Sequence, residues 1–293
     1  MIITNKLGLP RAFVEMAKRD YEYVDGAYHA TELLKPIRAA ILERRHHDEI
    51  EVDVADLIWL LFGKAVHNIL EYHNVDDYEF KEDRIEIRVR NSIVTGKFDL
   101  YNAKTQKVTD YKTCSVWKVI FKDYEDYRRQ LLTYGKMLEK IGFQVQHGEI
   151  IALMKDHSKS KAKYDKDYPQ YPVKRIKFQL WEEDYKEHDI WLTERVKAFE
   201  AAEKLPDDKL PLCTPEERFN SGDKYAVMKG KNKRAMRVLD SMEEAEEWMQ
   251  ANGGTHIDIR PGEDKKCIDY CSACEFCDHY RENVAKEEIR KEA

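Results

Sequence analysis

Residues 84–113 decide the fold. Arg84-Ile85-Glu86-Ile87-Arg88-Val89-Arg90 alternates strictly between charged and aliphatic side chains, Ile93 to Tyr101 follows, and Lys107 to Lys112 comes after the polar turn Asn102 to Gln106. A period of two marks a half-buried strand, so the stretch predicts three short strands in an antiparallel meander. Gly96-Lys97-Phe98-Asp99 lies on one strand and Asp110-Tyr111-Lys112-Thr113 on the next. Side chains in a strand alternate faces, so Asp110 and Lys112 project to one side and a hairpin partner can bring Asp99 beside them. Two converging carboxylates suit a hard divalent cation such as Mg²⁺. A lysine next to them can orient a metal-bound water or offset negative charge on a phosphate.

On the N-terminal side, the first fifty residues read as helical, with Pro10 and Pro36 placed where helices start. From Val54 to Tyr72 apolar residues recur every three or four positions, which predicts one amphipathic helix, with Gly63 inside it for close packing. On the C-terminal side come a helix over Asp123 to Ile141, a buried strand over Val145 to Met154, a strand over Val173 to Leu180 and a helix over Glu182 to Glu203. This order predicts an α/β fold with a mixed sheet flanked by helices. Pro206 to Pro215 carries three prolines and two adjacent aspartates, dividing the chain into residues 1–205 and a C-terminal extension, 206–293. Beyond it the sequence predicts two short strands (Lys224 to Met228, Ala235 to Leu239), a helix capped by Ser241 and Glu244 and closed by Gly253-Gly254, a cysteine cluster and a charged terminal helix.

The chain has 293 residues, 42% apolar and 36% charged, ample for a sizeable core. Its longest apolar runs, Leu57 to Phe62 and Ile150 to Met154, are far shorter than the roughly 20 residues that span a bilayer. No secretory signal is readable at Met1 to Lys6, so the expectation is a cytoplasmic protein with reduced thiols. The net charge of −6 conceals two basic windows: Lys155 to Lys177 holds eight Lys+Arg against three acids, and Lys224 to Arg237 six against none. In the first, Lys155, Lys159, Lys161, Lys163, Lys174 and Arg175 interleave with Tyr164, Tyr168 and Tyr171, the mixture of cations and rings that a single-strand or strand-end groove uses. No base-reading motif accompanies them, so binding independent of sequence is expected.

His67 and Glu71 stand one turn apart on the first long helix, and Gln130 and Tyr134 one turn apart on the next. Taken in order, Gly63/His67/Leu70/Glu71, Gly96/Asp99, Asp110/Lys112 and Gln130/Tyr134 resemble the four motifs of the PD-(D/E)xK nuclease superfamily, RecB-like branch, over residues 55–155. The chain is also similar to phage-encoded recombination exonucleases with a cysteine-rich tail. The resemblance implies a restriction-endonuclease-like core with an N-terminal helical region and a metal-bound C-terminal extension. It further implies that His67, Asp99, Asp110 and the Tyr111 carbonyl hold Mg²⁺ or Mn²⁺, that Lys112 assists the attacking water, and that Gln130 and Tyr134 contact substrate or steady the lysine. Glu71 would act behind the metal ligands. The implied activity is hydrolysis of DNA, at linear ends or on single strands, in phage or plasmid recombination or replication inside a bacterial host. A homo-oligomer, a single-strand annealing protein or a helicase is the implied partner.

Cys267, Cys271, Cys274 and Cys277 fall within one eleven-residue stretch, a density that predicts metal binding, either a [4Fe–4S] cluster or a closed Zn²⁺ site. In the resembled family one distant cysteine joins a C-terminal trio. Cys267, Cys271 and Cys277 approximate that trio, with Cys213 as the distant ligand and Cys274 spare; the alternative uses all four clustered cysteines. Cys114 reads as a packed core thiol. The rival functional expectation is a catalytically silent DNA-binding scaffold with the same fold.

Overall fold

The computed structural model describes residues 1–18, 24–72, 76–81 and 84–285; the charged helix expected at the C-terminus lies largely outside them. Contacts divide the chain into two compact units, Met1–Leu205 and Pro206–Ala293. The first runs β1 (Ile2–Thr4), α1 (Arg11–Ala17), β2 (Ala27–His29), α2 (Ile37–Arg45), β3 (Glu51–Asp53), α3 (Ile58–Glu71), β4 (Glu79–Lys81), β5 (Arg84–Val89), β6 (Ser92–Lys97), β7 (Leu100–Asn102), β8 (Lys107–Cys114), α4 (Val116–Phe121), α5 (Glu125–Lys140), β9 (His147–Met154), α6 (Lys159–Tyr164), β10 (Val173–Gln179) and α7 (Glu182–Ala202).

The main sheet has the order β10-β9-β8-β7-β4, with β8 and β9 parallel and the other neighbours antiparallel. A second sheet, β2-β6-β5, and a parallel pair, β1-β3, complete the unit. The architecture is mixed α/β with helices against the sheets, as the order of elements predicts. Two local expectations are corrected. The first fifty residues are not wholly helical, because three-residue strands at Ile2–Thr4 and Ala27–His29 pair with β3 and β6. Strands this short show no alternation and form only where a distant partner completes them.

The second correction concerns the meander. The strand expected over Ile93 to Tyr101 breaks at Phe98-Asp99, so β6 belongs to one sheet and β7 to another. Phe98 and Asp99 are both buried, which strict alternation on a one-sided strand cannot accommodate. The Asp99 carboxylate accepts the backbone N–H of Tyr111 at 2.6 Å, replacing a ladder bond with a side-chain bond.

The core is built around β8, which lies between two helices. Val108, Asp110 and Lys112 face α5, where Gln130 reaches Asp110. Tyr111 and Thr113 face α3: the Tyr111 ring meets His67 edge-on at 6.3 Å, and a Cβ on Gly63 would stand only 3.2 Å from Thr113 Oγ1. A helical glycine costs about 1 kcal/mol against alanine; here it lets the helix backbone approach the strand. Val108 of β8 and Ile150 and Ala152 of β9 are fully buried on one face, and Thr109 and Glu149 are buried on the other, the pattern of parallel strands covered on both faces. Cys114, at the end of β8, is a buried thiol.

In the second unit β11 (Lys224–Met228), β12 (Arg237–Leu239) and β13 (His256–Arg260) form an antiparallel sheet of order β12-β11-β13 with α8 (Met242–Asn252) against it. The Ser241 hydroxyl accepts the Glu244 N–H at 3.2 Å, and Gly253 closes the helix at φ +71°. After α9 (Lys265–Asp269) come the remaining cysteines. Asp264 is the hub of this segment, accepting from Asn220 at 2.6 Å and His279 at 2.8 Å and pairing with Arg218 at 3.0 Å. Burial pushes its carboxyl up, but those three partners outweigh burial and hold it below the usual range.

Asp264→Ala, which strands the nearly buried Arg218, is expected to destabilise the second unit by about 3 kcal/mol, read as faster proteolysis within residues 206–285. His188 is 2% exposed, hydrogen-bonded to Thr133 at 2.9 Å, and burial together with Arg129, Arg128 and Lys136 lowers its pKa to about 3. It stays neutral when folded and takes a proton when unfolded below about 6.5, so its contribution is complete above that pH and is lost as pH falls toward 3. Between pH 7 and pH 5 the parent should lose about 2 kcal/mol more unfolding free energy than His188→Gln, measured by urea titration.

Candidate active site

Four elements converge on one polar cluster. The break after β6 supplies Asp99, β8 supplies Asp110 and Lys112, α3 supplies His67, and α5 supplies Gln130 and Tyr134. Asp99 uses both oxygens: Oδ1 meets His67 Nδ1 at 3.1 Å and Oδ2 accepts from the Tyr111 amide. Asp110, 2% exposed, is reached on Oδ1 by Gln130 Nε2 at 3.2 Å. The other Gln130 N–H donates to the Tyr134 hydroxyl at 2.7 Å. Lys112 Nζ lies 2.8 Å from Asp110 Oδ2 and forms an ion pair with it, outside the angular range of a hydrogen bond.

The electrostatics follow from this packing. Burial pushes the Asp110 carboxyl above its ordinary range, with the Asp99 charge adding and Lys112 opposing. The hydrogen bond to Asp99 lifts His67 above the usual imidazole value, against burial. Burial likewise raises the Tyr134 phenol, which stays protonated.

Asp99, Asp110, Lys112, His67, Gln130 and Tyr134 are therefore brought together. They form two hydrogen-bonded sets, His67–Asp99 and Asp110–Gln130–Tyr134, with Lys112 ion-paired to Asp110, rather than a finished ligand shell: among the described residues no three His, Cys, Asp or Glu side chains are grouped so as to hold a metal ion. The donor chemistry nonetheless suits a hard cation, because two carboxylates converge and a buried Asp110 oxygen lacks a hydrogen bond. The side chain of Glu71 lies outside the described residues.

Lys174 pairs with Ala152, which in turn pairs with Lys112, so Lys174 shares the Lys112 face two strands away, roughly 10 Å. Arg175 projects to the opposite face and pairs with Glu149 at 2.6 Å, as does Lys107 at 2.8 Å. Lys159, Lys163 and Tyr164 lie exposed on α6. Lys155 lies over the Trp59 ring at 4.8 Å, and Lys161 over Trp117 at 5.3 Å and over Tyr168 at 5.0 Å. Neither tryptophan is picked out by the motifs, although Trp59 precedes Gly63 and His67 at four-residue steps on one helix face.

In the second unit none of the cysteines is joined in a disulfide. Burial, followed by the negative fields of Asp264, Cys271, Cys213 and Cys277, pushes the Cys267 thiol up to about 12. Cys213, distant in sequence, is thus within electrostatic reach of Cys267.

No family profile matches the chain and no curated protein matches its sequence. Among solved structures it is similar to SSO0001 (13% identity, 64% of this chain and 81% of that one, TM-score 0.45). It is also similar to a phage-related exonuclease from Haemophilus somnus 129PT (14% identity, 62% and 96%, TM-score 0.34).

Gly96 explains how α5 reaches the cluster: a Cβ there would stand 2.8 Å from the Tyr134 ring and 2.9 Å from Met137 Sδ. Gly96→Ala is expected to cost about 1–3 kcal/mol, and combining it with Tyr134→Leu should recover part of the loss, read as non-additivity in thermal unfolding.

Proposed function

We propose that this protein is a metal-dependent DNA nuclease, an exonuclease serving recombination or replication of phage or plasmid DNA. The observation that carries the reading is the buried Asp110 carboxylate, with one oxygen held by Gln130 and the other lacking a hydrogen bond beside Lys112, next to a second carboxylate at Asp99. His67, Asp99, Asp110 and the Tyr111 carbonyl would hold Mg²⁺ or Mn²⁺. When bound, such an ion polarises a phosphoryl oxygen and makes water a nucleophile near neutral pH.

The chain's own groups do the rest. Gln130 fixes the Asp110 carboxylate and is itself fixed by Tyr134, so the acceptor is positioned before substrate arrives. Lys112 provides a positive charge where phosphate oxygens gain negative charge as water attacks and the P–O bond breaks. His67 and the Tyr111 amide hold Asp99 in its place at the sheet break. The exposed lysines of residues 155–163, with Lys174, would contact phosphates irrespective of sequence.

The reading extends to the tail. Cys213, Cys267, Cys271 and Cys277 would hold a [4Fe–4S] cluster, with a structural Zn²⁺ site as the alternative for the same thiols; the support is the density of cysteines in the sequence, and the thiols would have to draw together on binding, since among the described residues no three of them are grouped so as to hold a metal. Such a site would tie the C-terminal segment together, since metal binding contributes directly to folding.

The tests are direct. End-labelled linear and circular DNA are incubated with Mg²⁺, Mn²⁺ or EDTA. Metal-dependent loss of linear DNA with circles spared is expected, and Asp110→Asn should slow it by about 10²-fold or more while remaining folded. Equal DNA binding in EDTA with no cleavage under any metal would instead establish a silent scaffold. For the tail, iron, sulfide and zinc are assayed on anaerobically purified protein: Cys213→Ser should lose the bound metal and Cys274→Ser retain it, and the reverse result would move the site onto the four clustered cysteines.

A further inference from the structure

Beside the cluster, the first unit exposes a concentration of rings that the chemistry above does not use. Trp59 and Phe62 on α3 are 52% and 45% exposed and meet edge-on at 6.2 Å. Trp117 and Phe121 on α4 are 49% and 72% exposed and stack at 5.6 Å. The two pairs are linked through the turn after β9. Lys155 covers Trp59 and donates its backbone N–H to the Cys114 carbonyl at 3.0 Å, while Asp156 takes the Ser115 hydroxyl and Val116 N–H at 2.6 Å each. Lys161, on α6, reaches the Trp117 ring. The surface therefore begins two residues beyond Lys112, about 7 Å along β8.

Large rings left half in water at this density mark a binding surface. The ammonium groups over them select its occupant. A cation on an indole face is a replaceable cap: a phosphate can draw the lysine away while a base takes the ring, and only a nucleic-acid strand offers both at every step. Duplex DNA keeps its bases stacked on one another, so the strand must be single. We propose that Trp59, Phe62, Trp117 and Phe121, with Lys155 and Lys161, form a stacking platform that holds the unpaired bases of a single strand next to the Asp110–Lys112 cluster. The proposal rests on the nuclease reading for its direction but not for its binding step.

The experiment measures fluorescence anisotropy of a labelled oligothymidine and of an abasic oligonucleotide of equal length, in EDTA, with parent and variants of matched thermal stability. Stacking on one aromatic side chain corresponds to about 5- to 150-fold in affinity. Trp59→Ala/Trp117→Ala should bind oligothymidine at least tenfold more weakly, close to the abasic strand, whereas Trp→Tyr at both positions should stay within a few-fold of the parent. The proposal is overturned if the alanine variant binds oligothymidine as tightly as the parent, or if parent affinity for the abasic strand is equal. It is overturned in favour of an apolar protein contact if Trp→Leu at both positions binds as well as Trp→Tyr. Cleavage in Mg²⁺ and Mn²⁺ is read on the same preparations. A parent that cleaves while the alanine variant binds unchanged overturns the platform alone; a parent that binds through the tryptophans yet never cleaves overturns the nuclease reading alone.

Discussion

A carboxylate buried in the middle of a parallel strand is the constraint on which the first unit depends. Taking Asp110 out of water is costly unless its charge is met by donors or a counter-ion. The chain answers from two sides, with Lys112 two residues along the same strand and Gln130 from the helix above. Their geometry requires α5 to lie close to β8, and the burial of Leu131, Leu132, Met137 and Leu138 on α5 supplies the apolar contact that keeps it there. One oxygen is still left without a hydrogen bond. The Lys112 ammonium, 2.8 Å from that oxygen, is its counter-ion.

The same constraint dictates where backbone must come close. Gly96 admits the Tyr134 ring to β6, and through the Tyr134–Gln130–Asp110 chain an apparently remote glycine sets the position of a carboxylate. Gly63 does the corresponding work on the other face, letting α3 bring His67 to Asp99 across the end of β8. The second unit shows the same logic at Asp264, where one nearly buried carboxylate joins the segment after Cys213 to the segment carrying the other thiols.

Much of this is legible in the sequence, for identifiable reasons. The alternation of residues 84–90, the three- and four-residue apolar spacing of α3 and the capping pair Ser241 and Glu244 are local signals, and the elements they predict are present. The juxtaposition of Asp110 and Lys112 is equally local, because a strand places alternate residues on one face. The break at Phe98-Asp99 is not local. It depends on the Tyr111 N–H donating to the Asp99 carboxylate in place of a backbone carbonyl, a choice made only when two sheets meet. β13 illustrates the intermediate case: Ile257 and Ile259 alternate with polar neighbours, but a five-residue strand becomes evident only when paired with β11.

The sequence by itself thus determined the α/β class, the succession of long elements, and the identity of the polar residues that form the cluster. Tertiary structure decided which of them share a side. Lys174 and Arg175 are neighbours in the chain, yet pairing register sends one to the Lys112 face and the other to Glu149 on the reverse. Trp59 and Trp117 belong to no common motif and are joined through Lys155, Asp156 and Lys161. The physical reason is that period and propensity act over a few residues, whereas register, close approach at a glycine and the pairing of buried charge are settled between segments far apart in the chain.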